Sequence, residues 1–326
     1  GINALGADAV GENVAIGNSS LAACTASNNT AVGASSGKAV TSGSQNVFVG
    51  NDAGLAVIGG ANHVAVGYRA LRASTSANGN TAVGRDAGLV VTGGGNTFIG
   101  DAAGDSCTDT INCVAIGNNA LGGADADHSN VAVGQLSLSS CTGNSNTAVG
   151  DQAGTDVTSG SNNLFLGQDA GRSGAPGGSI TTASNTIVLG EGSIANAHIQ
   201  VDWTVASDER DKTDFTALDL GLDFVKGLEP VTYKWDKRAK YGEDVSTITH
   251  DGTHKEDWLD VGFKAQAVEA LEKAAGYTIA DKTNLTTNLS EDGKQYGLQY
   301  SKFVPILVNA LQELSEKNDA LEARLA

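Results

Sequence analysis

The chain has 326 residues, with 43 Gly, 3 Pro, 3 Trp, 6 Tyr, 7 Phe and no Met, and its formal charge is -17. At 40% hydrophobic and 17% charged it is too polar for a membrane protein and too weakly charged for a disordered acidic chain. The acidic balance excludes nucleic acid and anionic lipid as primary partners, because both require a cationic surface. No apolar run approaches the roughly 18 residues of a spanning helix, and no basic and apolar leader opens the chain. These features imply a soluble product without membrane insertion, and a start at Gly1 in a chain without Met reads as a fragment or processed product.

The averages conceal two compositions. Residues 1–206 hold 5 basic and 14 acidic side chains with 35 Gly, whereas residues 207–326 hold 15 basic and 23 acidic with 8 Gly. A long Gly-rich segment poor in aromatics cannot build an ordinary globular core, and internal repetition is the first alternative. The repeat has the form Asn-Val/Thr-Ala-Val-Gly, and its closing glycines are Gly17, Gly33, Gly50, Gly67, Gly84, Gly100, Gly117, Gly134, Gly150 and Gly167, with a variant copy at Gly190. The residue before each Gly and the one two positions earlier are Val, Ile, Leu or Thr, which predicts a short β-strand with that face inward.

The position between them carries Ala15, Ala31, Phe48, Ala65, Ala82, Phe98, Ala115, Ala132, Ala148, Phe165 and Val188. A solvent face would carry Ser, Lys or Glu, so this second face is expected to pack against identical chains around a symmetry axis. The prediction for residues 1–167 is therefore a mainly β, trimeric repetitive rod, either a β-roll solenoid or an interwound triple β-helix. Residues 168–206 read as an irregular tip or connector.

Asn13, Asn29, Asn46, Asn80, Asn96, Asn130, Asn146 and Asn163 precede the strands, with His63 and Cys113 replacing Asn in two copies. In a parallel stack with a spacing of about 4.8 Å such amides can form a ladder; as single residues they are equally suited to turns. Two signatures follow the glycines, Asp-Ala-Gly as at Asp52-Ala53-Gly54 and Ala-Leu as at Ala70-Leu71. Cys24, Cys107 and Cys141 share one repeat position and read as small buried residues, although Cys107 and Cys113 bracket a connection that a disulfide would close. Paired zinc-ligand spacing is absent, and neither metal nor cofactor is expected. These repeats resemble the head repeats of trimeric autotransporter adhesins and the Gly-rich shafts of phage tail fibres.

Four ordered motifs occupy the charged part: Ser207-Asp208-Glu209-Arg210-Asp211-Lys212, Leu228 to Trp235, Val261 to Gln266 and Tyr300 to Leu307. They resemble the C-terminal intramolecular chaperones of phage tail spikes and fibres, the endosialidase type, over residues 207–326. The resemblance implies a module that assembles a trimeric fibre and then cuts itself off at Ala206-Ser207, with Ser207 as nucleophile, Lys212 as base, and Asp208, Arg210 and Gln266 as supporting motif residues. The chemistry is self-consistent. A Ser hydroxyl can attack the carbonyl just before it through a five-membered intermediate, giving an ester that water hydrolyses, and a Lys serves as base when neutral. A spacing of five misses a single helical face, so a turn or a Lys from a neighbouring chain must complete the pair. Where the family often has an acidic residue after Ala-Gln, this chain has Ala267.

Helices are predicted at Leu218 to Val225 and Phe263 to Ala274, with a strand at Val231 to Trp235. Val304, Leu307, Leu311, Leu314, Asn318, Leu321 and Leu325 follow heptad a and d spacing, with Asn318 at an a position, the pattern of a trimeric coiled-coil helix. Packing of that stripe on its own domain is the alternative.

The expected fold is thus a β-rod followed by a smaller α+β chaperone. The expected function is that of a distal bacteriophage tail fibre, located in the virion and assembled in the host cytoplasm. Its partners would be two sister chains, an upstream fibre segment and a host receptor, glycan or outer-membrane component, met near the stretch from Gln168 to Ala206. The alternative is a bacterial trimeric surface adhesin carrying the same chaperone. A glycan-cleaving spike is disfavoured, since only five aromatics precede Ser207 and no cleft with paired carboxylates is suggested. Any enzymatic activity would be a single self-cleavage.

Overall fold

A computed structural model of the chain describes residues 1–6, 11–241 and 251–325. It comprises two compact units, Gly1–Ser193 and Ile194–Ala326.

The first unit is a parallel β-solenoid. Its strands are β1 (Val14–Ile16), β2 (Thr30–Val32), β3 (Val47–Val49), β4 (Val64–Val66), β5 (Thr81–Val83), β6 (Thr97–Ile99), β7 (Val114–Ile116), β8 (Val131–Val133), β9 (Thr147–Val149), β10 (Leu164–Leu166) and β11 (Ile187–Leu189). They form one sheet in sequence order, so the neighbours of every strand come from its own chain and the interwound arrangement does not apply. The register is constant, with Ala31 opposite Phe48 and Phe48 opposite Ala65. It survives the longer connection to β11, where Leu164 faces Ile187, so the stack takes in part of the stretch set apart as connector.

The two strand faces are the reverse of the sequence expectation. The middle positions, including Ala31, Phe48, Ala82, Phe98, Ala148 and Phe165, are fully buried inside the solenoid of the single chain. The flanking Val, Ile, Leu and Thr point outward, and Ile16, Ile116, Val149 and Leu166 are exposed. The reason lies in the asparagines. Asn29 stands two residues before Ala31, hence on the same face, and a buried amide needs the partners that only the interior offers.

Those partners form an unbroken ladder, and the turn reading gives way to it. Asn46 Nδ2 donates to Asn29 Oδ1 at 3.0 Å and to Gly60 O at 2.9 Å, while Asn46 Oδ1 accepts the His63 N–H at 2.8 Å. His63 continues the series as a neutral imidazole: Nδ1 accepts the Asn80 N–H at 3.2 Å and Nε2 donates to Ala77 O at 2.7 Å. Burial lowers its pKa from 6.5. Cys113 does likewise with sulfur, accepting the Asn130 N–H at 3.3 Å and donating to Asp127 O. All four cysteines are buried and free, and Cys107 and Cys113 are not bridged. Burial pushes the Cys107 thiol to about 12 and the Cys141 thiol to about 11.

Interior volume is shared between strand and turn. Each buried Phe lies against glycines of the adjoining turns; a Cβ on Gly54 would sit 2.3 Å from the Phe48 ring. Leu21, Leu71, Leu121 and Leu138 fill the same turn position in copies whose strand carries Ala, and all four are fully buried. The two turn signatures are thus the small and large halves of one packing scheme. The closing Gly of each rung is required for a separate reason. Gly84 has φ +141, and a Cβ there would meet Gly100 O at 2.2 Å.

The second unit holds α1 (Leu222–Gly227), β12 (Val231–Tyr233), β13 (Asp260–Gly262), α2 (Ala265–Ala274), β14 (Thr287–Leu289), β15 (Tyr296–Leu298) and α3 (Phe303–Leu325). β12 with β13 and β14 with β15 form two antiparallel pairs. Leu220, Phe224, Val268, Phe303 and Ile306 make its core. The first helix begins later than its apolar pattern suggests, because α3 holds the preceding residues extended. Asn309 Nδ2 donates to Leu218 O and Leu220 O, and Glu313 accepts the Leu222 N–H at 3.0 Å, capping α1. Glu272 is fully buried and ties α2 to β14, accepting the Thr286 N–H and hydroxyl at 2.5 and 2.7 Å.

The helix α3 has two apolar faces. Phe303, Ile306 and Ala310 are buried in the unit. Val304, Leu307, Leu311, Leu314, Leu321 and Leu325, the heptad positions, are exposed, so the chain's own packing does not account for them.

Candidate self-cleavage site

The motif that opens at Ser207 is folded by a single 3-10 turn, Glu209–Asp211. Asp208 caps it by accepting the Arg210 N–H at 2.9 Å, and the Arg210 guanidinium returns to the same carboxylate at 2.6 Å. Hydrogen bonding from Arg210 holds the Asp208 carboxyl below its ordinary value. The turn reverses the chain within five residues, so Lys212 Nζ donates to Ser207 Oγ at 2.6 Å and to Ser207 O at 3.1 Å. One chemical requirement of a Ser/Lys pair is met: the nitrogen is within proton-transfer reach of the hydroxyl; of the neighbouring carboxylates, Asp208 is engaged by Arg210. The pair comes from one chain through a turn, and both side chains are exposed.

The second, third and fourth motifs come together in one core. The β12–β13 pair joins Val231 to Gly262, Trp235 Nε1 donates to Asp260 Oδ2 at 3.0 Å, and Phe263 stacks on Phe303 at 5.4 Å with an interplanar angle of 23°. The Phe263 N–H donates to Tyr300 Oη at 3.2 Å. Gln266 stands exposed in the first turn of α2 and is not a hydrogen-bond partner of Ser207 or Lys212. Ala267 lines a groove of about 260 Å³ with Leu228, Phe263, Lys264, Val268 and Leu271. Ala206 lies in a segment with no regular secondary structure.

Asn309, Glu313 and Glu272 were not singled out from sequence, and each spaces far from its partner along the chain; the only cue was a polar residue interrupting an amphipathic helix. Among the described residues no group of three His, Cys, Asp or Glu side chains is placed to hold a metal, and no helix is long and apolar enough to cross a membrane.

A family model described as chaperone of endosialidase matches residues 207–277. The match begins at Ser207 and takes in the first three motifs; the fourth, at Tyr300 to Leu307, lies beyond it. No curated protein and no solved structure matches the chain. Behind its parallel β-solenoid, this chain carries an intramolecular chaperone domain of the endosialidase type, starting at Ser207.

Proposed function

We propose that the chain is the distal part of a trimeric phage tail fibre or tailspike, that its C-terminal unit drives trimerisation, and that this unit is then released by self-cleavage at Ala206-Ser207. The observation that carries the reading is the 2.6 Å approach of Lys212 Nζ to Ser207 Oγ at the first residue of the chaperone match. Lys212 takes the hydroxyl proton as Oγ bonds to the Ala206 carbonyl carbon. The C–N bond then breaks, the proton passes to the departing nitrogen, and Ser207 is left with a free amine and an ester to Ala206. Water hydrolyses that ester, giving the Ala206 carboxylate and the Ser207 hydroxyl.

Trimerisation is supported by two apolar surfaces that the single chain leaves open, the outward strand face of the solenoid and the heptad face of α3. Ser207 and Lys212 are both exposed in the single chain, so the pair is open to sister chains on assembly. The retained rod carries host recognition toward residues 168–206, the end that cleavage leaves free, and the fibre works on the virion after assembly in the host cytoplasm.

The test is a denaturing gel of wild type beside Ser207→Ala and Lys212→Arg. Two fragments are expected from wild type and one intact chain from each variant, because Arg stays protonated and cannot serve as base. Identical intact bands from all three would refute self-cleavage.

A further inference from the structure

The segment just ahead of the proposed cut is written as a strand, yet among the described residues it pairs with nothing. Ile199, Val201, Trp203 and Val205 alternate with Gln200, Asp202 and Thr204, a period of two built from β-branched and aromatic residues. Their exposures are 52, 73, 73 and 76%, so one entire apolar side lies open. Among the described residues, the backbone N–H and C=O groups of residues 195–206 make no hydrogen bond. An isolated strand is not stable in water, and its partner must bring an equal row of unpaired groups.

The second copy of the same segment meets that need. α3 belongs to the same unit, Ile194–Ala326, and its open heptad face carries Asn318 at an a position, a device that fixes register between parallel helices. Copies aligned through α3 present identical 199–205 segments to one another at equal stoichiometry. We infer that residues 199–205 form a strand only between copies of this chain, gathering Ile199, Val201, Trp203 and Val205 into an apolar cluster directly before Ala206-Ser207. This rests on the trimer reading above and goes beyond it in two respects. The scissile carbonyl becomes fixed only once the copies have assembled. The cluster also stays with the rod after the cut, so the chains remain clasped when the helical face has departed.

Three measurements on the full-length protein test the inference: light scattering, amide hydrogen exchange of wild type, and oxidative cross-linking of Val201→Cys and Asp202→Cys. The four native cysteines are fully buried and do not compete. The expected results are a trimer, exchange at residues 199–205 slowed by at least about a hundredfold relative to an unstructured peptide, and covalent dimers from Val201→Cys but not from Asp202→Cys. A trimer whose 199–205 amides exchange freely overturns the inference and leaves the proposed function standing. Equal cross-linking at both positions overturns the apolar cluster. A monomer refutes the trimer reading and the inference with it.

Discussion

The solenoid and the C-terminal unit satisfy their groups in opposite ways. In the solenoid each rung finds its partners in the next rung of the same chain: the middle strand residues from Ala31 to Phe165 are fully buried, and the ladder runs from Asn13 to the Thr186 N–H. Among the described residues, the C-terminal unit closes a small core around Leu220, Phe224, Val268, Phe303 and Ile306 and leaves Leu307, Leu311 and Leu314 of α3, and all of residues 199–205, uncovered. Stability in the first region is a sum of nearest-neighbour terms. In the second, apolar surface remains that the single chain does not cover.

The contrast can be broken most completely at α3. Leu311 and Leu314 are 67 and 50% exposed, so changing both to Lys should leave the solenoid's circular dichroism unaltered while abolishing the trimer and the cut. A double variant that still scatters as a trimer would remove α3 from assembly. Next in size is the solenoid core. Phe98→Ala empties a fully buried site and should cost about 3–5 kcal/mol, read as a lower denaturant midpoint of the rod. Asn96→Ala should cost less, about 1–3 kcal/mol, by leaving the Cys113 N–H and Thr110 C=O without their partner. An effect below 0.5 kcal/mol would mean that the ladder adds little to the packing.

The smallest effect concerns pH. Burial lowers the His63 pKa below 6.5, so the unfolded chain takes up the proton first as pH falls. Stability from this rung is complete above about 6.5 and declines below it, with a slope of at most about 1.4 kcal/mol per pH unit for one group. Wild type should therefore lose more thermal stability between pH 7 and 5 than His63→Asn, which replaces the imidazole by the ladder residue of other rungs. Parallel curves for the two proteins would show that His63 does not titrate in that range.

Much of the solenoid was legible because a fixed period constrains every copy at once. The strand positions, the interior cysteines and the substitution of Asn by His63 and Cys113 followed from spacing alone. The direction of the faces did not, because apolar residues on both sides of a three-residue strand leave the hydrophobic pattern symmetrical. The signal that breaks the symmetry was present in Asn29 and Ala31, two residues apart, since a laddered amide must point where water is excluded. The Ser207–Lys212 pair was legible only through resemblance, because the 3-10 turn that joins it rests on Asp208 and Arg210 folding onto each other. Asn309 and Glu313 were not legible at all, since their partners at Leu218, Leu220 and Leu222 lie far away in sequence and are met only in the folded unit.

The alternation of bulky and empty turns bears on how such a rod changes length over generations. Leucine recurs at Leu21, Leu71 and Leu121 with two glycine turns between, and a Phe strand closes each cycle. Duplicating or deleting one rung would set Phe against Leu or Gly against Ala, whereas gaining or losing a whole cycle of three preserves every contact. Leu138 follows Leu121 after a single rung, with Ala132 in the strand between them, and breaks the count of three. Growth and shrinkage of the solenoid should therefore proceed in triplets, with rare single-rung events betrayed by adjacent leucine turns.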